Sequence, residues 1–181
     1  MVIALTSIEI PKEVYEIIST VARRKGKTIE ELLVELALPE LDLEARVGVY
    51  LKLHKKYLNE AEKLYEMGNL IQASEKYWGA VTTLLKAIAE VRGRVHSSHR
   101  DLRELASQLY RETKDKDIAI GCKAAGSLHA NYHESYMTRE DFELTRELVL
   151  KLIRKLEKLA REPGRGRRRG SPREPRAPRT G

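Results

Sequence analysis

The sequence predicts an all-α fold: an antiparallel up-and-down bundle of about five helices, with a short strand–helix–helix module before it and a basic tail after it. Three observations lead there. Apolar residues recur at three- and four-residue steps through five long segments. Glycine, a polar turn or a capping pair stands at each break between them. The composition agrees, because 34% charged residues with 6% aromatics and a single phenylalanine favour helices that bury aliphatic stripes. The divisions expected are 1–40 for the module, 41–162 for the bundle and 163–181 for the tail.

Residues 2–10 alternate, with Ala4, Thr6, Ile8 and Ile10 on one side, which predicts a short strand. Pro11 opens a helix carrying Val14, Ile17, Ile18 and Val21, and Gly26 closes it. Thr28 with Glu31 forms a capping box for a second helix that Pro39 ends. Asp42 starts a long helix to about Met67, striped by Val47, Tyr50, Leu51, His54, Tyr57, Leu58 and Ala61. His54 lies in that stripe and reads as a hydrogen-bonded core histidine.

The central helix, 70–92, shows one broad apolar face through Ala73, Tyr77, Ala80, Val81, Leu84, Leu85, Ile88 and Val91. A loop ends at the capping box Ser98-His-Arg-Asp101, which starts a helix with Leu102, Leu105, Ala106 and Leu109. After the polar turn at 114–117, Asp117 is placed to cap the next helix. There Ile118, Cys122, Ala125, His129 and Tyr132 share an arc, and Gly121, Ala124 and Gly126 permit close packing. Thr138-Arg-Glu-Asp141 opens the last helix, through Phe142, Leu148, Leu152 and Leu156.

Charge separates the tail from the body. The net charge is +7, yet residues 163–181 hold seven arginines against one glutamate, leaving the other 162 residues at +1. The tail has no aliphatic residue larger than alanine and reads as a disordered arm, with Arg165, Arg167, Arg168, Arg169 and Arg173 available to phosphates. One cysteine, Cys122, excludes an internal disulfide and a cysteine-rich zinc site. No signal-like or membrane-spanning apolar run is present, so a cytoplasmic protein without membrane contact is expected.

Two places suit chemistry. At 92–101, Arg92, Arg94, Ser98, His99 and Arg100 surround a helix N-terminus with only Asp101 opposing, an arrangement that attracts phosphate. His129 lies mid-stripe, where a polar ring needs a partner; a tyrosine hydroxyl or a carbonyl is the structural expectation. His129 and His133 are one turn apart, but Glu134 is the only carboxylate close in sequence and His-Glu-x-x-His is absent, so no metal and no cofactor are assigned.

Gln72-Ala-Ser-Glu-Lys-Tyr-Trp-Gly-Ala80, Leu85-Lys-Ala87, Ser98-His-Arg-Asp-Leu102 and Ala125-Gly-Ser-Leu-His-Ala-Asn-Tyr-His-Glu134 resemble the archaeal PaREP repeat-gene family over about 42–160. Trp78, Lys86, His129 and Asn131 are among the residues carrying the likeness. The family is usually grouped with HEPN helical domains, which implies a bundle, commonly dimeric, of a class associated with nucleotide and RNA binding. Active HEPN ribonucleases carry an arginine, four to six residues, then a histidine on a late helix, the histidine working on the ribose 2′-hydroxyl without metal. Here Lys123 precedes His129 by that spacing, and lysine lacks the guanidinium fork. Arg94 and His99 have the spacing across a loop and helix start.

Residues 4–38, above all Ile10-Pro-Lys-Glu-Val, resemble the ribbon–helix–helix fold of Arc/MetJ-type repressors. The resemblance implies paired strands from two chains, with Leu5, Ser7 and Glu9 facing a DNA groove. A leucine and a carboxylate read base edges poorly, so dimerisation or packing on the bundle is the better use of the module.

The sequence therefore reads as a homodimeric, non-catalytic module for nucleotide or RNA phosphate. A metal-independent ribonuclease using His129 or His99 is the alternative, and a DNA-binding regulator the second. The arm provides a test. If it engages about five phosphates, affinity for duplex DNA falls with a log–log salt slope of about −4 to −5, and of about −3 to −4 on single strands. Truncation after Glu162 should flatten the slope and weaken all sequences alike. Unchanged affinity and slope would make the arm a passenger.

Overall fold

The computed structural model describes residues 7–161. Seven α-helices follow in order: α1 Lys12–Arg24, α2 Ile29–Ala37, α3 Leu43–Glu66, α4 Leu70–Val91, α5 His99–Thr113, α6 Lys116–Glu134 and α7 Arg139–Arg161, with one 3-10 turn at Leu38–Glu40. The five-helix bundle is α3 to α7. The arginine arm lies outside the described residues. No helix among them is long and apolar enough to cross a membrane.

The N-terminal strand needs correction. Of the strand expected at 2–10, residues 2–6 lie outside the described residues and 7–10 carry no regular structure; Pro11 is the N-cap of α1, and no strand occurs among the described residues. Alternation alone does not make a strand, because its backbone N–H and C=O groups need a second strand to bond with. The helices of the module do form. Thr28 and Glu31 make both bonds of the capping box, and Lys56 at the side of α3 holds Glu30 at 2.6 Å. Ile17 and Leu36 remain 65% and 63% exposed, an uncovered apolar surface on this module.

Capping fixes the bundle's segment lengths. Asp42 accepts from Ala45 N–H at 2.8 Å to start α3. Arg92 and Gly93 end α4, and Gly93 turns the chain at φ +60°, a value glycine adopts without a Cβ clash. Asp115, not Asp117, caps α6: its carboxylate accepts from Asp117 N–H at 3.0 Å. The chain leaves α5 through Lys114 at φ 55°, so α6 begins at Lys116, and Asp117 instead pairs with Lys155 of α7 at 2.8 Å.

Helix α4 is the hub, packed against α3, α5, α6 and α7. Its C-terminal half is buried on more than the single face read from the sequence, because Thr82, Thr83, Ala87 and Ala89 are covered too. The threonines tolerate this by donating to their own helix, Thr82 to Gly79 O at 3.0 Å and Thr83 to Gly79 O at 2.9 Å. Of the two α6 glycines noted, Gly121 makes the tight approach. A Cβ added there would lie 2.5 Å from Leu152 Cβ and 3.1 Å from Leu148 O, whereas one at Gly126 would meet open space.

That difference gives a paired prediction. Gly121→Ala should lower unfolding free energy by about 1–3 kcal/mol in urea, because backbone and core must move. Gly126→Ala should leave stability equal or raise it by up to ~1 kcal/mol, since alanine is the better helix former. Equal effects at both positions would remove the close-packing argument.

Candidate functional site

The first turn of α5 lies beside α4 and α6, and the chain's motif histidines gather there. His129 stacks on Trp78 of α4, with centroids 5.0 Å apart and planes 24° apart. His99, the first residue of α5, lies 5.6 Å from Trp78 and 5.5 Å from His129. His133, one turn beyond His129, presents edge to face at 4.8 Å. Two candidates read separately from the sequence, His99 and His129, thus belong to one cluster.

His129 bonds neither to a tyrosine nor to a carbonyl. Its Nδ1 is 2.8 Å from Glu75 Oε2, one helical turn before Trp78. An ionised carboxylate only accepts, so Nδ1 is the donor in this bond; the singly protonated tautomer that matches it keeps a lone pair on Nε2. A ring oriented by a carboxylate on one nitrogen can exchange a proton at the other. Glu75 was within sequence reach: it stands in the Gln72–Ala80 motif, three residues before Trp78 and therefore on its side of the helix.

His99 is exposed at one edge, yet partial withdrawal from water pushes its pKa below the ordinary 6.5. Neighbouring His129, Arg103 and Lys86 push the same way, while Glu75 opposes them. Arg103 went unremarked in the sequence, although it lies one turn after His99 on α5. Among the described residues no three His, Cys, Asp or Glu side chains form a metal-binding group.

The cap of α5 is formed as expected. Ser98 Oγ accepts from Asp101 N–H at 3.2 Å and the Asp101 carboxylate accepts from Ser98 N–H at 2.9 Å. Hydrogen bonding to the carboxylate from the side chain and backbone of Ser98 holds it below its ordinary range. The loop's arginines are less free than the sequence suggested, because more than Asp101 opposes them. Arg92 pairs with Glu112 at 2.6 Å, Arg100 with Glu104 at 3.1 Å, and Arg94 donates to Gln108 at 2.7 Å. His96 turns inward, bonded to Glu90 at 2.8 Å and edge-on to Tyr50. A cleft of about 1050 Å³ remains along the loop and α5, lined by Arg94, Arg100, Arg103 and Arg111 against Asp101 and Glu104, and reaching His99.

The other motif residues divide by task. Asn131 is buried and structural: its amide donates to Ser74 Oγ at 3.0 Å and its carbonyl accepts from Met137 N–H at 2.8 Å, tying the end of α6 to the start of α4. Lys123 is not in the histidine cluster. It is exposed and lines a second cleft between α5 and α6 with Arg103, Arg111, Tyr110 and Tyr136. Six residues on a helix turn through about 600°, which sets Lys123 and His129 on different faces. Lys86 faces a separate pocket, and His54 is the core histidine expected, its Nδ1 2.9 Å from Ala80 O. Cys122 is no reactive thiol, since burial pushes its pKa up to about 12.

A family model described as the Archaeal PaREP1/PaREP8 family matches residues 49–153, more than half of the chain. The chain belongs to that family. The match spans every member of the histidine cluster and leaves α1 and α2 outside. No curated protein and no solved structure matches the chain.

The electrostatics make His99 the reporter of this site. In an NMR titration it should have its midpoint below 6.5. Glu75→Gln should lower that midpoint further, and Arg103→Gln should raise it. With the folded value depressed, the charged ring is disfavoured in the folded state. His99 therefore costs nothing above the unfolded value of about 6.5 and destabilises increasingly as pH falls from there through the folded pKa. A midpoint at or above 6.5 would contradict this account.

Proposed function

We propose that this PaREP1/PaREP8 member binds a nucleotide or RNA phosphate in the arginine-lined cleft along the 92–101 loop and α5, with the cluster of Trp78, His99 and His129 at its end. One observation carries the reading: four guanidinium groups line the cleft against two carboxylates, beside an exposed His99. Guanidinium forks match phosphate oxygens bidentately, and a helix N-terminus adds its oriented N–H groups. The earlier likeness to nucleotide- and RNA-associated helical domains points the same way. Arg92, held by Glu112 at 2.6 Å, acts here as a strut for the loop. The chain works as a homodimer in this reading, supported by the exposed Ile17 and Leu36 of the N-terminal helices.

A second reading has its own observation. His129 oriented by Glu75, with His99 only 5.5 Å away, forms the kind of imidazole pair that can take a proton from a 2′-hydroxyl and give one to a leaving oxygen. Metal-independent RNA cleavage follows from it. DNA reading by a ribbon draws no support from the described residues, since 7–10 form no strand.

One experiment separates these. Purified chain is mixed with labelled single-stranded RNA in EDTA, beside His99→Ala, His129→Ala and the double variant Arg103→Gln/Arg111→Gln. Binding without cleavage is expected, with the arginine pair reducing the log–log salt slope by about 1.4. Without RNA, the protein should have twice the 20.7 kDa chain mass by light scattering. EDTA-resistant cleavage lost in either histidine variant would establish the second reading. Absence of binding to RNA and to mononucleotides alike would end both.

A further inference from the structure

Lys86, a motif residue that the histidine cluster leaves unused, faces an open pocket of about 380 Å³ lined by α2, its 3-10 turn, α3, α4 and the loop after α4. Val34, Leu38 and Leu53 supply apolar wall, and Tyr50 lies 5.9 Å from the Lys86 ammonium. The other charged groups of the pocket are engaged. Glu35 holds Lys27 at 2.7 Å, Glu31 accepts from Thr28 N–H at 3.0 Å, and Glu90 accepts from Arg46 at 2.9 Å and lies 2.8 Å from His96. Among the described residues lining the pocket, Lys86 is the charged group with no hydrogen-bond partner.

Such a cation is open to a ligand. Withdrawal from water pushes its pKa below the ordinary 10.5, with Lys27 adding to the effect and Glu31 and Glu35 opposing it. An anion arriving with its own apolar body would satisfy the ammonium and cover the wall together. Glu31, Glu35 and Glu90 also line the pocket and repel any anion, a doubly charged head such as a phosphomonoester more than a singly charged one. At roughly 30 Å³ per water-sized group, the volume suits about ten non-hydrogen atoms.

We propose that this pocket is a second ligand site, binding a small monocarboxylic acid with its carboxylate on Lys86 and its apolar body against Val34, Leu38 and Leu53. The site is separate from the arginine cleft and does not rest on the function proposed above. Leu38 and Val34 come from the N-terminal module and Lys86 from the bundle hub, so the ligand bridges the two.

Benzoate and hexanoate, beside benzamide and hexanamide as uncharged counterparts, are titrated against the full chain by ligand-observed NMR. At least one acid should bind about tenfold more tightly than its amide, the discrimination expected of one charge-assisted bond. Lys86→Met should abolish that preference with no loss of Tm, and Val34→Trp should block the acid with Lys86 in place. The double variant His99→Ala/His129→Ala should bind as the parent does. The proposal is overturned if neither acid binds, if acid and amide bind alike, or if either pocket variant keeps the preference.

Discussion

Enclosing α4 among four other helices constrains everything around it. A helix covered on more than one face needs small residues where neighbours approach, and Ala73, Ala80, Ala87 and Ala89 supply them, each with 0% exposure. It must also answer its own buried polar atoms. Thr82 and Thr83 bond back to α4 carbonyls, and Ser74 donates to Leu70 O at 2.8 Å while accepting from Asn131. Tyr77 does more than fill space. Its hydroxyl donates to Glu62 of α3 at 2.7 Å and accepts from Arg146 of α7, whose guanidinium lies 4.2 Å from the Tyr65 ring centroid. The hub is thus fastened to two neighbours by one polar tip as well as by apolar contact.

The candidate sites inherit their positions from that arrangement. Glu75 and Trp78 occupy one side of α4, and Lys86 points into a pocket further along the same helix. Each needs a second element to become a site. The histidine cluster needs α5 and α6, which bring His99 and His129. The Lys86 pocket needs α2 and α3. The arginines follow another rule: Arg92 is held by Glu112 and Arg100 by Glu104, both carboxylates of α5, and because Arg100 and Glu104 both line the cleft, its charge is smaller than a count of its cations implies.

Much of the fold was legible in the sequence because its signals are local. Capping pairs such as Thr28 with Glu31 and Ser98 with Asp101 lie within four residues and formed as read. Errors arose where the deciding partner was absent or distant. Alternation at 2–10 suggested a strand, of which the described part, 7–10, has no regular structure, and nothing local can say whether a second strand exists. The carboxylate of His129 comes from 54 residues away, and Glu112 lies 20 residues from Arg92. Lys123 matched a spacing along the chain, but helical rotation places it on another cleft. Spacing finds candidate residues; only packing decides which of them meet.

The tight seat of Gly121 against Leu152 bears on the chemistry as well as on stability. His129 lies eight residues further along the same rigid rod, about 12 Å away at 1.5 Å per residue. Extra bulk at 121 would lever α6 away from α7, and the far arm of that lever carries the imidazole stacked on Trp78. One missing methyl group on one side of α6 thereby helps set the gap between two rings on another. Drift at this glycine would detune the site without altering any residue in it.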